Sequence, residues 1–107
     1  MMHPLCNQTV TLYTHTPQGV HRRVVTGCFY HYCQEQLPDG LSQTRFSLIL
    51  PGEEPVQPGV RVLPGVGPEQ VNWETFLPVN TPGLGQVAYA QPYYFAGRLH
   101  HWEAGRK

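Results

Sequence analysis

The chain is poor in charge. Asp, Glu, Lys and Arg make up only 13% of its 107 residues, and seven basic residues balance seven acidic ones. A neutral chain of this kind is unsuited to coating phosphate backbones, so nucleic-acid binding by bulk electrostatics finds no support. Three cysteines, Cys6, Cys28 and Cys33, form neither an even set nor a C-x-x-C pair, which argues against a disulfide framework or a four-thiolate zinc site and for reduced thiols. The only serines are Ser42 and Ser47, neither in a Gly-x-Ser-x-Gly setting. No apolar run approaches the ~20 residues of a membrane helix. The start, Met1-Met2-His3-Pro4-Leu5-Cys6, lacks the basic and apolar regions of a signal peptide, so export and membrane insertion are both disfavoured.

What the chain has instead is turn formers. Eleven glycines and eleven prolines break helices at close intervals. The length suits one domain, residues 1–107, that buries about two thirds of its extended-chain surface. The expected fold is all-β, a small barrel or sandwich of about six strands with long Pro/Gly-rich loops and at most one short helix.

The stretch TRFSLILPGEEPVQPGVRVLPGV, residues 44–66, reads as the centre of this arrangement. Thr44, Phe46, Leu48 and Leu50 alternate with Arg45, Ser47 and Ile49, and Val60, Val62 and Pro64 alternate with Arg61 and Leu63. Strands are therefore expected over residues 44–50 and 60–66, joined by an acidic, proline-rich excursion. Upstream, Thr9-Val10-Thr11-Leu12-Tyr13 is a first strand and Thr16-Pro17-Gln18-Gly19 a turn. Residues 20–33 are long for one strand, and Gly27 marks a bulge or bend within them. Residues 34–42 read as a polar loop. Downstream, Pro68 and Glu69 open the only helical candidate, residues 69–77, with Trp73, Phe76 and Leu77 at spacings of three and four. Residues 86–91 resume alternation until Pro92 interrupts it, and Ala96-Gly97 fits a two-residue hairpin turn. The expected core is Val10, Leu12, Phe46, Leu48, Leu50, Val60, Val62, Val87, Tyr89 and Leu99.

Candidate chemistry is sparse. Cys28, His31 and Cys33, with His21 upstream, carry zinc-ligand groups, but in a regular strand Cys28 points away from the other two, and His100 and His101 likewise point apart. Glu35, Asp39, Glu53, Glu54, Glu69, Glu74 and Glu103 lie mostly in loops, where solvated charge is the default. The expectation is no enzyme, no catalytic residue, no cofactor and no bound metal. Phe29, Tyr30, Tyr32, Tyr93, Tyr94 and Phe95, with Arg22, Arg23, Arg45 and Arg98, would build the base-stacking face of an OB-like nucleic-acid-binding barrel, or else core and protein contacts. A small metal-binding module is the third alternative.

Several segments together carry a resemblance. Thr9-Val10-Thr11-Leu12-Tyr13, His21-Arg22-Arg23-Val24-Val25-x-Gly27, Arg45-Phe46-Ser47-Leu48-Ile49-Leu50-Pro51, Pro58-Gly59-Val60-Arg61-Val62 and Gly97-x-Leu99-x-His101-Trp102-Glu103-Ala104-Gly105-Arg106 are similar to small proteins from the structural-gene region of clostridial-type phages and prophages. These resemble the head-closure or head-to-tail joining proteins of long-tailed phages, over nearly the whole chain. Where such proteins often have Pro-Gly-Asp before the fourth strand, this chain has Pro58-Gly59-Val60, so no role of that acid carries over.

The resemblance implies a small β-barrel virion protein that assembles as a homo-oligomeric ring and is monomeric alone. Its implied partners are proteins, a portal or adaptor and tail components, with no membrane and no specific nucleic acid. Its implied location is the host bacterial cytoplasm during assembly and then the head–tail interface. The segment expected to make contacts is Gly52, Glu53, Glu54, Pro55, Val56 and Gln57, stiffened by its prolines.

Overall fold

The computed structural model describes residues 7–40 and 42–106. Among these residues seven antiparallel strands form the fold: β1 (Gln8–Thr16), β2 (Gly19–Gln36), β3 (Ser42–Pro51), β4 (Arg61–Pro64), β5 (Gly85–Gln86), β6 (Tyr89–Phe95) and β7 (Arg98–Arg106). That is one strand more than the sequence suggests, and no helix occurs among the described residues. The order across the sheet is β5-β4-β1-β2-β3-β7-β6. The sheet curls into a half-barrel, since β5, bonded to β4 near one end of the order, also lies against β3 and β7.

β2 makes the curl possible. Its first half pairs with β1, from Gly19 opposite Thr16 to Cys28 opposite Gln8. Its second half pairs with β3, from Phe29 opposite Ile49 onward. Between the halves the register shifts: Val10 faces Val25 while Gln8 faces Cys28, which leaves one extra residue on β2. Gly27 sits there with φ of 70°, a left-handed conformation that glycine adopts without a Cβ clash. The bend expected at Gly27 is thus a bulge that hands the strand from one half of the sheet to the other.

The expected central pair does not form. β3 and β4 are separated by β1 and β2, and β2 holds the middle of the order. The chain after the acidic excursion pairs elsewhere: the Gly59 N–H donates to the Val87 carbonyl, and the Val87 N–H donates to the Val60 carbonyl. The fourth strand also stops at Pro64, and Val66 is 72% exposed. Three other boundaries move. Strand pairing runs through Gln36 and resumes at Ser42, so the polar loop is shorter than residues 34–42. Residues 72–81 form single turns, with the Phe76 N–H donating to Asn72 and the Thr81 N–H to Leu77, which Pro78 and Pro82 keep from propagating. Pro92 lies inside β6, which tolerates it as the last strand in the order.

The main core gathers Val10, Leu12, Val25, Cys28, Tyr30, Phe46, Leu48, Leu50, Val56, Val60, Val62, Val87 and Ala104. Of the expected core, Leu99 is instead exposed, close to the β6–β7 turn, and Tyr89 is only half-buried, at the start of β6 opposite Gly105. β1 is buried on both faces from Val10 to Tyr13. Val10 and Leu12 face the main core, whereas Tyr13 joins a second cluster with Phe76 and Leu84 on the excursion 65–84.

Arg61 clamps that excursion. Its buried guanidinium donates to the carbonyls of Trp73 (2.5 Å) and Phe76 (2.8 Å) and lies 3.7 Å from the Trp73 ring centroid. Burial lowers its pKa. The Tyr13 hydroxyl donates to Pro68, Arg22 donates to Gly67, and His15 stacks on Trp73. Thr11 completes the attachment: its hydroxyl donates to Gly65 and accepts from the Gly67 N–H, both at 2.8 Å.

Candidate protein-contact hairpin

β6 and β7 are joined at Ala96-Gly97, both with positive φ (52° and 78°), the geometry of a type I′ turn. Such a turn matches the twist of its flanking strands, so the hairpin is ordered before it meets anything. Its tip is apolar and uncovered. Tyr94 is 66% and Phe95 75% exposed, with Tyr93 and Leu99 beside them at 38% and 37%. Large side chains grouped outside a core mark contact surfaces more often than chance exposure does.

A second register shift aims this tip. Tyr93 faces His101 and Tyr94 faces Leu99, so His100 is an extra residue on β7. The bulge turns His100 back toward its neighbour, and the two imidazoles meet, Nδ1 to Nδ1, at 2.8 Å. This corrects the expectation that His100 and His101 point apart, which holds only for an unbroken strand. His101 also stacks flat on Tyr93, with centroids 5.0 Å apart, and its Nε2 lies 2.9 Å from Glu103 Oε2. The donors can be arranged with both rings neutral: His100 Nδ1–H donates to His101 Nδ1, and His101 Nε2–H donates to the Glu103 carboxylate.

Beside the hairpin runs an open groove of about 550 Å³, with Gly27, Pro51, Gly52 and Glu53 on one wall and Phe95 and Arg98 to His100 on the other. Gly52 is needed there, since a Cβ would come within 2.7 Å of the Leu99 carbonyl oxygen. Two of the expected contact residues, Gly52 and Glu53, therefore border the exposed tip. Glu54 pairs with Arg23 at 3.1 Å, and Arg23 also donates to the Pro55 carbonyl. Pro55 and Gln57 are exposed, but Val56 is buried in the main core. The excursion is thus anchored at its middle by Val56.

The remaining candidates fall apart spatially. Cys28 is buried and its thiol meets the Val25 carbonyl at 3.5 Å, while His31 and Cys33 are exposed on the other face of β2. Cys6 lies outside the described residues. No group of three His, Cys, Asp or Glu side chains among the described residues is placed to share a metal ion. His31 and Cys33 line a smaller groove of about 470 Å³ with Arg45, Phe46, Ser47, Tyr89 and Arg106. The aromatic set of the base-stacking alternative is split: Tyr30 points inward, its hydroxyl donating to Gly83, and burial raises its pKa. Arg22 and Arg23 are engaged by Gly67 and by Glu54.

The hairpin itself was expected from Ala96-Gly97, but its standing as the exposed site was not. Ala96-Gly97 marks the turn, but the bulge that exposes the tip leaves no mark in residue types. By fold and site the chain is a curled antiparallel β half-barrel bearing a preformed aromatic hairpin. No family model matches it, and no curated protein or solved structure matches it either. No helix among the described residues is long and apolar enough to cross a membrane.

Proposed function

We propose that the chain is a non-enzymatic structural protein of a phage or prophage particle, a head-closure or head-to-tail connector subunit that works by ring assembly and protein–protein contact. The observation that supports this reading best is the β6–β7 hairpin, where Tyr93, Tyr94, Phe95 and Leu99 are held outside the core on a rigid turn. Aromatic side chains with few rotatable bonds are the usual anchors of protein interfaces, and a preformed hairpin loses little entropy on docking. The phage context rests on the resemblance of the strand and turn segments. In this reading the hairpin and the adjoining Gly52 and Glu53 meet the portal or adaptor on one side or the tail on the other, in the host cytoplasm and then in the virion.

The test is co-sedimentation with a portal ring, whose gene the phage reading expects beside this one. Tyr94→Ser/Phe95→Ser should melt as the parent does, since both side chains are solvated, yet fail to co-sediment and fail to complete infectious particles. A variant that binds portal and yields particles at the parental level refutes the assignment of the hairpin. Neighbouring genes that include neither portal nor capsid refute the phage reading itself.

A further inference from the structure

We propose that the outer face of strands β2, β3, β7 and β6 carries a binding site for the phosphate of a small phosphomonoester, held by Arg45 and Arg106 with Ser47 and Tyr89. The site goes beyond the connector reading and does not depend on it, because its groove of about 470 Å³ shares no lining residue with the groove beside the hairpin. A row of directly paired residues builds the floor: His31 faces Ser47, Ser47 faces Gly105 and Gly105 faces Tyr89. Directly paired residues share a face of the sheet, so these four positions lie on one side. Gly105 leaves a gap in the row, and the Tyr89 hydroxyl reaches into it from β6. A Cβ at Gly105 would stand 3.1 Å from that hydroxyl and would collide with the Phe46 carbonyl oxygen. The hydroxyls of Tyr89 and Ser47 thus border one gap.

Cations stand beside this row. Arg45 lies opposite Cys33, two residues before Ser47 and therefore on the same face, and Arg106 ends β7 next to Gly105. Both arginines are exposed and line the groove, and His31 borders it as well. Among the described residues no carboxylate lines the groove, and Glu103, two residues back along β7, is bonded to His101. The zero net charge of the chain is no obstacle, since two neighbouring guanidinium groups set the local field that a single anion meets. Donor number distinguishes phosphate from carboxylate. Two guanidinium forks and two hydroxyls offer more donors than the two oxygens of one carboxylate accept, whereas a phosphomonoester presents three terminal oxygens in three directions. The groove falls within the volume range of small-molecule sites, which leaves room for the esterified group beside the Tyr89 ring.

Calorimetric titration of the full chain with phenyl phosphate tests this, with inorganic phosphate and the dicarboxylate phthalate as comparisons. Phenyl phosphate should bind saturably with a Kd of about 1 mM or tighter, inorganic phosphate about 3-fold more weakly and phthalate about 10-fold more weakly. Arg45→Gln and Arg106→Gln should each weaken phenyl phosphate about 10-fold and Ser47→Ala about 3-fold, with melting temperatures unchanged because all three side chains are exposed. Cys33, an exposed thiol in the same groove, reads the location independently. Saturating phenyl phosphate should slow its alkylation by iodoacetamide about 3-fold or more, followed by peptide mass spectrometry that separates Cys33 from Cys6 and from the buried Cys28. No saturable binding, binding that both glutamine variants retain, or a Cys33 thiol that alkylates at the same rate with phenyl phosphate present overturns the inference. Inorganic phosphate or phthalate binding as tightly as phenyl phosphate overturns it too, because the site would then not select a phosphomonoester.

Discussion

Replacing Arg61 by Leu removes a buried cation that ties the excursion 65–84 to the sheet. The magnitude follows from its contacts. Arg61 donates to two backbone carbonyls, those of Trp73 and Phe76, and stacks on the Trp73 ring. Hydrogen bonds from a charged donor contribute about 1.5–3 kcal/mol each, and a desolvated cation–π contact about 2 kcal/mol. Against these stands the cost of burying the charge, several kcal/mol in a protein interior. The side chain is 7% exposed, its Nε has no partner, and burial lowers its pKa, all signs that this cost is real here. The leucine escapes that cost but leaves two carbonyls without donors, so the net loss should be about 2–4 kcal/mol. At roughly 4 °C per kcal/mol, the melting temperature should fall by about 8–16 °C. Chemical denaturation gives the free energy, and amide exchange locates it: the Phe76 and Thr81 amides should lose protection well before those of β2 and β3. Arg61→Lys should fall between, since an ammonium reaches one carbonyl well and does not stack as the guanidinium does. A leucine variant within about 0.5 kcal/mol of the parent, with the excursion amides still protected, would falsify the clamp.

Other expectations are simpler. Leu48→Ala should cost about 2–5 kcal/mol, as for a fully buried leucine, and Leu99→Ala under about 1 kcal/mol because that side chain is exposed; equal losses in thermal melts would mean the hairpin half is misplaced. Exchanging residues 53–56 for a Gly/Ser linker should lower the melting temperature rather than spare it, since Val56 is 2% exposed in the core, whereas Glu54→Gln should cost under about 1 kcal/mol, its pair with Arg23 being partly solvated. In alkali, Tyr30 binds its proton more tightly folded than unfolded, so its contribution is complete below about pH 10, the ordinary tyrosine value, and is lost as pH rises beyond it. Tyr30→Phe should therefore weaken the chain by about 1 kcal/mol at neutral pH, through the lost bond to Gly83, and flatten the alkaline decline followed by denaturation.

Much of the fold was legible because strand alternation and turn chemistry are local. Leu48 and Leu50 are buried and Ser47 is exposed, as the period of two requires, and Gly19, Gly27 and Gly97 each take a positive φ at the turn or bulge their positions suggest. What was not legible is long-range. Tyr13 looks like one end of a half-exposed strand, but the second cluster covers it, and nothing near Tyr13 in sequence announces Phe76 or Leu84. Arg61 looks like a solvent-facing strand residue, and only the return of residues 73–76 over it makes burial tolerable. Val56, set among prolines and glutamates, reads as loop, yet it fills the core because the chain from β3 to β4 must cross that core to reach the far side of β1. Strand order is the missing information in each case.

The two register shifts bear on the same groove, and the second can be removed without disturbing the ladder. Gly27 on β2 and His100 on β7 both line it, so a bulge stands on each side of the site. Deleting His100 would leave Tyr93 opposite His101, Tyr94 opposite Leu99 and Phe95 opposite Arg98, the same pairs as now but in an unbroken run. The type I′ turn at Ala96-Gly97 is unaffected, and the core lies elsewhere. Stability should therefore change by less than about 1 kcal/mol, or even rise, since a regular ladder replaces an irregular one. What changes is aim. A bulge adds local twist, and without it the tip that carries Tyr94, Phe95 and Arg98 rotates relative to β3 and away from Gly52. If the bulge directs the tip, the deletion variant should keep its melting temperature yet lose portal co-sedimentation. If instead the bulge is incidental, the shortened hairpin will bind as the parent does, and the site reduces to the apolar side chains alone.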